Sequence, residues 1–132
     1  MRSRLLEPTL VGSMELRNRI VMSPMQTNTA TEDGSPTKRM IDYYVERAKG
    51  GVGLIIFQHT CVDPPTGRLR FQPCIHEDWL IPKYKELVEA VKSHGAKIAM
   101  QLSHAGRMAK SSFTGVRPVA PSAIPYPYPG YE

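Results

Sequence analysis

The sequence predicts an α/β fold, and three observations lead to that prediction. Short, largely apolar runs at residues 20–22, 52–57 and 97–102 indicate strands that are buried on both faces. Two segments with apolar residues at helical spacing separate these runs. Because strands that alternate with helices form βαβ units, we expect the three strands to lie parallel and side by side in one sheet.

A β-hairpin is predicted before the first strand, over residues 5–17. Gly12 supplies the turn between its two apolar arms. The first buried strand then covers residues 18–25, and Pro24 should mark its carboxyl end because proline cannot donate a hydrogen bond to a neighbouring strand. The polar residues 26–36 indicate a loop.

Two helices are predicted between the strands. The first begins after Thr37, a residue type that is favoured as N-cap, and ends at Gly50. The second covers residues 78–94, with Asp78 as its N-cap. Pro82 then falls in the first turn, where a helix tolerates proline.

Two architectures satisfy this order of elements, a doubly wound open sheet and a (β/α)8 barrel. An open nucleotide-binding sheet would favour a glycine-rich turn after its first strand, whereas residues 26–30 contain no glycine. The hairpin also suits a plug below the floor of a barrel. We therefore predict that residues 1–132 are the first three strands and two helices of a (β/α)8 TIM barrel, preceded by an N-terminal β-hairpin.

Such a barrel takes about 250 residues, so the single domain in this chain is expected to be incomplete. The third strand should then lack a neighbour on its outer edge. Residues 59–77 are expected to form a long loop, and the proline-rich residues from 117 onward cannot form regular structure.

Charge and composition narrow the class of protein. The net charge of +5 comes from scattered basic residues rather than from a dense basic stripe, so nucleic acid is not an expected partner. The longest uninterrupted apolar run, residues 54–57, is far too short to cross a bilayer, and no apolar core of a signal peptide follows the basic N-terminus. We expect a cytoplasmic protein that binds no membrane. Two cysteines, Cys61 and Cys74, do not imply a disulfide framework there.

Active sites of (β/α)8 barrels lie at the carboxyl ends of the strands. The sequence places residues 23–26, 58–60 and 101–104 at these ends, with amide, imidazole and hydroxyl groups but no pair of carboxylates for acid–base chemistry. A flat ring held by amides fits this set better than hydrolysis does. The amide of Gln101 both donates and accepts, so it could match the imide edge of a heterocycle, or it could bond a neighbouring loop.

The same positions resemble a known family. Asn-Arg-Ile-Val-Met-Ser-Pro-Met at residues 18–25, Tyr-Val-Glu-Arg-Ala-Lys-Gly-Gly-Val-Gly-Leu-Ile-Ile at 44–56 and Gln-Leu-Ser-His-Ala-Gly-Arg at 101–107 resemble the Old Yellow Enzyme family. Residues 119–123 are similar to the family's loop after the third strand, so that the resemblance covers nearly the whole chain. The second of these segments is similar to the larger members, such as 2-enoate and 2,4-dienoyl-CoA reductases.

The resemblance implies an FMN-dependent ene-reductase, which uses NAD(P)H to reduce the C=C bond of an α,β-unsaturated carbonyl compound or enoate. His59 is implied to meet the flavin through its backbone N–H, and Gln101 to bind the pyrimidine edge. Gln26 stands where some relatives carry Cys or Thr, and His59 stands where many carry a small residue. The full set of implied FMN contacts is Ser23, Pro24, Met25, Gln26, His59 and Gln101.

No catalytic residue is implied within this chain, because the family's carbonyl-binding His pair lies further along. His104 matches a structural segment instead. We therefore expect the chain to be inactive alone, and it could form a homo-oligomer or join a second chain that completes the barrel. A longer protein that contains this chain could also carry a [4Fe–4S] cluster and FAD, as larger members do.

Two alternatives to a flavoenzyme stay open at this point. The chain could be an inactive fragment or interaction module. It could also be a zinc-binding domain, since His59 and Cys61 are followed by Cys74 and His76. Ligand pairs with one intervening residue are unusual in zinc sites, however, and no metal site is predicted.

Overall fold

The computed structural model describes residues 3–131 and opens with a small antiparallel sheet. A 3-10 turn at Arg4–Leu6 precedes strand β1 (Thr9–Val11), which pairs with strand β2 (Met14–Leu16). Gly12 in the connecting turn has φ +59°, the left-handed conformation that favours glycine. The predicted hairpin is confirmed, although its first residues, Leu5 and Leu6, belong to the 3-10 turn.

The second sheet has three parallel strands. These are β3 (Val21–Met22), β4 (Leu54–Cys61) and β5 (Lys97–Ser103), side by side in that order. The predicted parallel arrangement is confirmed. Within residues 3–131, β4 is the only strand paired with β5, so the outer edge of β5 is unpaired as expected.

Four α-helices accompany the sheet in the described chain. The two long ones are α1 (Lys38–Lys49) and α3 (Ile81–Lys92), and the two short ones are α2 (Pro64–Gly67) and α4 (Ser111–Thr114). None of the helices in this part of the chain has the length and apolar character needed to cross a bilayer.

The two long helices begin in different ways. The Thr37 side chain accepts a hydrogen bond from the Met40 N–H at 3.2 Å, as predicted for the N-cap of α1. The predicted start of the second helix is wrong, because residues Asp78–Leu80 form a 3-10 turn and the Asp78 side chain caps nothing. The regular helix begins only at Ile81, next to Pro82, whose fixed φ and missing N–H suit the first helical turn.

One face of the parallel sheet carries the core. Phe57 of β4 packs between Tyr44 of α1 and Tyr84 of α3, with ring centroids 4.9 and 6.0 Å away. The other face is open: Val21, whose neighbour Met22 packs against the core, is 47% exposed. The prediction of a first strand buried on both faces is therefore wrong, because the described helices cover one face alone.

Strand β4 is four residues longer at its carboxyl end than the sequence predicted. The predicted loop begins inside it, because pairing with β5 continues as far as Cys61, opposite Ser103. The loop then returns to the sheet: the Cys61 N–H donates to the Pro73 carbonyl at 2.8 Å, and the Ile75 N–H donates to the Cys61 carbonyl at 2.9 Å. Cys61 and Cys74 lie opposite each other there, both buried and both free thiols.

Arg17 connects the hairpin to the amino-terminal side of the parallel sheet. Its guanidinium donates to the carbonyls of Ala48 at 2.7 Å, Val52 at 3.0 Å and His94 at 2.8 Å. These carbonyls lie at the end of α1, before β4 and after α3. The hairpin is thereby fixed to both helix–strand connections on the side opposite the carboxyl ends of the strands.

Candidate functional site

The carboxyl ends of β3, β4 and β5 meet at one edge of the parallel sheet, and the predicted site residues lie at this edge. Residues 23–26 follow β3 directly. His59 of β4 lies opposite Gln101 of β5 in the strand register, so the structure brings these two predicted residues together.

Gln101 has an unusual hydrogen-bonding state. Its side-chain oxygen is buried and has no hydrogen-bond partner within residues 3–131. A buried acceptor without a donor costs about 1–3 kcal/mol. The oxygen can therefore accept an N–H from a bound ring at little further desolvation cost, whereas a glutamine that only bonded a loop would already have a partner.

The segment of residues 23–26 presents exposed side chains beside this edge. Ser23 and Gln26 are exposed, Met25 is 54% exposed and Pro24 is half-buried. The Gln26 amide donates to the Asn28 side-chain oxygen at 2.7 Å, so its donor is engaged within its own loop. The apolar side chain of Met25 is thus available to a ligand.

Gln58 positions this segment, a role that the sequence analysis missed. Its fully buried side-chain oxygen accepts from the Thr27 N–H at 2.7 Å, which ties the loop after β3 to β4. The strand is irregular at this point, because Phe57 and His59 pair with β5 while Gln58 does not. Its own N–H donates instead to the Tyr44 hydroxyl at 3.2 Å. The polar run Gln58-His59-Thr60, which directly follows four apolar residues, was the available signal.

Tyr44 of α1 supports Gln58 from the core. Burial raises the pKa of the Tyr44 phenol to about 12, while the hydrogen bond from the Gln58 backbone acts in the opposite direction with a smaller effect. The phenol is therefore neutral at physiological pH. Helix α1, strand β4 and the loop after β3 are joined through these two side chains.

His59 and His104 occupy different surroundings. The His59 side chain is exposed on β4. The His104 ring nitrogen Nδ1 accepts from the Gly106 N–H at 3.0 Å, and Nε2 lies 3.0 Å from the Thr66 hydroxyl. The ring also covers Gly67, where a Cβ atom would overlap it. His104 thus connects the segment after β5 to α2.

The His and Cys residues of the zinc alternative do not converge. Cys61 and Cys74 are buried against each other, whereas His59 and His76 are exposed. No three His, Cys, Asp or Glu side chains in the described chain are grouped so that they could hold a metal ion. The geometry therefore does not favour the zinc domain.

Comparison with known proteins identifies the family. Residues 4–127 match the NADH:flavin oxidoreductase / NADH oxidase family. The chain belongs to this family. The resemblance to Old Yellow Enzymes is confirmed, since solved structures of these enzymes superpose on this chain.

Two relatives and one solved structure show what share of a family member's length this chain covers. NADH oxidase from Thermoanaerobacter brockii is 51% identical over 124 residues, which are 92% of the chain and 19% of the relative. Cinnamate reductase from Clostridium sporogenes is 41% identical over 128 residues, again 92% and 19%. The Old Yellow Enzyme homologue from Zymomonas mobilis superposes with a TM-score of 0.85 at 34% identity, over 98% of this chain and 38% of that structure. The chain thus spans well under half of each of these proteins.

Proposed function

We propose that this chain supplies part of the FMN site of an ene-reductase, as the N-terminal part of a single (β/α)8-barrel domain over residues 1–132. The observation that carries the proposal is the buried, unpartnered oxygen of Gln101 beside His59 at the sheet edge. The pyrimidine part of a flavin has both an imide N–H and carbonyl oxygens, and an amide side chain can accept from the first and donate to the second.

The remaining contacts are those that the resemblance to Old Yellow Enzymes implies. Ser23, Pro24 and Met25 would lie along the ring, with Gln26 towards its reactive edge. The exposed Met25 side chain would be covered by the ring, and removing apolar surface from water favours binding. The His59 backbone N–H would meet a flavin carbonyl from β4. The hydrogen bond from Thr27 to Gln58 fixes the loop after β3 before any ligand binds.

Bound FMN would supply hydride transfer, with NAD(P)H as reductant, to the C=C bond of an α,β-unsaturated carbonyl compound or enoate. The residues of this chain would bind and orient the ring. That one relative is named cinnamate reductase supports an enoate as substrate. We further propose that turnover needs residues beyond these 132, because the matched segment is only 19% of that relative.

FMN titration of the purified chain tests the site. We expect Gln101→Leu to weaken FMN binding about tenfold or more, because the imide loses a hydrogen-bond partner in a desolvated position. Flavin fluorescence measures the dissociation constant. Lys83→Gln on the exposed side of α3 is the control and should bind FMN like the wild type.

Two results would contradict the proposals separately. Equal FMN affinity in the wild type and Gln101→Leu would remove Gln101 from the site. Turnover of an enoate by the 132-residue chain with FMN and NADH would instead refute the need for further residues.

A further inference from the structure

A cavity of about 990 Å³ lies between the loop after β4 and the segment after β5. Its wall includes Arg68, Arg70 and Phe71 from the first segment, and Lys110 and Phe113 from the second. None of the proposed flavin contacts lines it. The volume is in the range of small-molecule sites, about 300–1,000 Å³.

The burial and hydrogen bonding of Arg68 indicate that the cavity can hold a ligand. It is only 7% exposed, and its guanidinium donates to the backbone carbonyls of Thr31 at 3.0 Å and Glu32 at 2.5 Å. Its Nε is buried and has no hydrogen-bond partner among the described residues. No carboxylate of residues 3–131 forms an ion pair with it. A buried cation with neutral partners alone is unfavourable unless an anion compensates it.

Further positive charge surrounds the same cavity. Arg70 and Lys110 also line it, whereas Glu32 is the one carboxylate of residues 3–131 in the lining. The pKa of Asp33 is lowered chiefly by a hydrogen bond from the Thr31 side chain and then by one from the Ser35 backbone. The charge of Arg68 lowers it least. The Asp33 carboxylate is therefore engaged in its own turn, and the cavity keeps an excess of cations.

Aromatic rings alternate with these cations. The Arg70 guanidinium lies 4.8 Å from the ring centroid of Phe71, and the Arg68 guanidinium lies 5.6 Å from that of Phe113. The Lys110 ammonium lies 4.1 Å from the ring of Tyr131. Cations that flank flat apolar rings are the combination that binds both the phosphate and the base of a nucleotide.

We propose that this cavity binds a phosphorylated ligand that carries a planar ring. Arg70 presents planar donors that match phosphate oxygens, Lys110 adds a second charge, and Arg68 contributes a third charge from the cavity wall. The rings of Phe113 and Tyr131 lie beside the space for the organic part. The site is separate from the proposed flavin contacts, so its test needs no flavin.

Calorimetric titration of the chain with inorganic pyrophosphate and with ADP tests the proposal. Pyrophosphate tests the phosphate contacts alone, and ADP adds the contact with a planar ring. We expect both to bind, with an affinity that falls as salt is added, because the contacts are charge pairs. ADP should bind at least about fivefold more tightly than pyrophosphate, since its base can stack on the aromatic side chains. Equal affinities would overturn the ring contact, and no binding of either would overturn the site.

Variants of the two peripheral cations provide the decisive comparison. Arg68→Gln would also leave two backbone carbonyls without donors, so its effect on binding would be mixed with lost stability. Arg70→Gln and Lys110→Gln should each weaken pyrophosphate binding about tenfold, as expected for a charge-assisted hydrogen bond. Lys83→Gln, an exposed cation on α3, should bind like the wild type. Pyrophosphate affinities of the first two variants equal to that of Lys83→Gln would overturn the proposal.

Discussion

The side-chain oxygen of Gln58 lies 2.7 Å from the backbone nitrogen of Thr27, and this hydrogen bond joins the middle of the parallel sheet to the loop after β3. The Gln58 side chain is fully buried. Its backbone N–H is satisfied by Tyr44 rather than by the neighbouring strand. The position of the proposed flavin-binding segment is therefore set from within the core.

Replacing Gln58 should destabilise the chain. Gln58→Leu leaves the Thr27 N–H without an acceptor, which costs about 1–3 kcal/mol, but it also removes the buried Gln58 Nε2, which has no partner within residues 3–131. We therefore expect the free energy of unfolding to fall by about 1–2 kcal/mol. Urea denaturation measures the change. Gln26→Leu is the matched control, because it removes an exposed hydrogen bond and should change stability by about 0.5 kcal/mol or less. An equal loss of unfolding free energy in the two variants would contradict a stabilising role of the hydrogen bond between Gln58 and Thr27.

Gly34 should not tolerate a side chain. Its φ is +90°, and a Cβ atom there would lie 2.6 Å from the Cys74 sulfur. Gly34→Ala should therefore lower the free energy of unfolding by about 2–4 kcal/mol, from backbone strain plus overlap. Thermal unfolding measures the change. Gly12→Ala shares the positive φ but meets open space, and it should cost only about 1 kcal/mol. A cost at Gly34 no greater than at Gly12 would refute the contact with Cys74.

The stability of the fold should depend on pH above 10 through Tyr44. Burial raises the pKa of this phenol from its usual 10.0 to about 12. The folded state then holds the proton more tightly than the unfolded state, so this stability is fully present below pH 10 and is lost as pH rises towards 12. Burial also raises the pKa of Tyr84, which adds to the effect in the same direction.

Tyr44→Phe isolates the first of these contributions. We expect its free energy of unfolding to fall less steeply than that of the wild type between pH 10 and 12 in urea titrations. The variant should be less stable at neutral pH, because the Gln58 N–H loses its acceptor. Tyr128→Phe, which removes an exposed phenol, is the control. Identical slopes for wild type and Tyr44→Phe would contradict the assignment.

Local sequence signals predicted the elements that depend on local interactions. Thr37 and Gly50 bracket α1 because capping is a contact between near neighbours. The prediction of Asp78 as N-cap was wrong because it relied on residue type alone. The regular helix begins three residues later, next to Pro82. The order of the strands in the sheet was predicted correctly because strands alternate with helices along the chain and βαβ connections are right-handed.

The features that the sequence did not predict depend on contacts distant along the chain. Whether Val21 is buried depends on what covers the second face of the sheet, and strand composition does not report that. The extension of β4 to Cys61 depends on pairing with β5. The positions of His59 and Gln101 could be predicted from the strand ends. The role of Gln58 could not, because it depends on an irregular pairing between β4 and β5.

Arg17 gives the hairpin a defined place in the order of folding. Its hydrogen bonds reach residues 31, 35 and 77 positions further along the chain. Closing such loops costs chain entropy that grows with their length. The three carbonyls that it binds come together only when the end of α1 and the end of α3 are adjacent. The hairpin precedes both helices along the chain, yet its docking is favoured only after both helix–strand connections have formed.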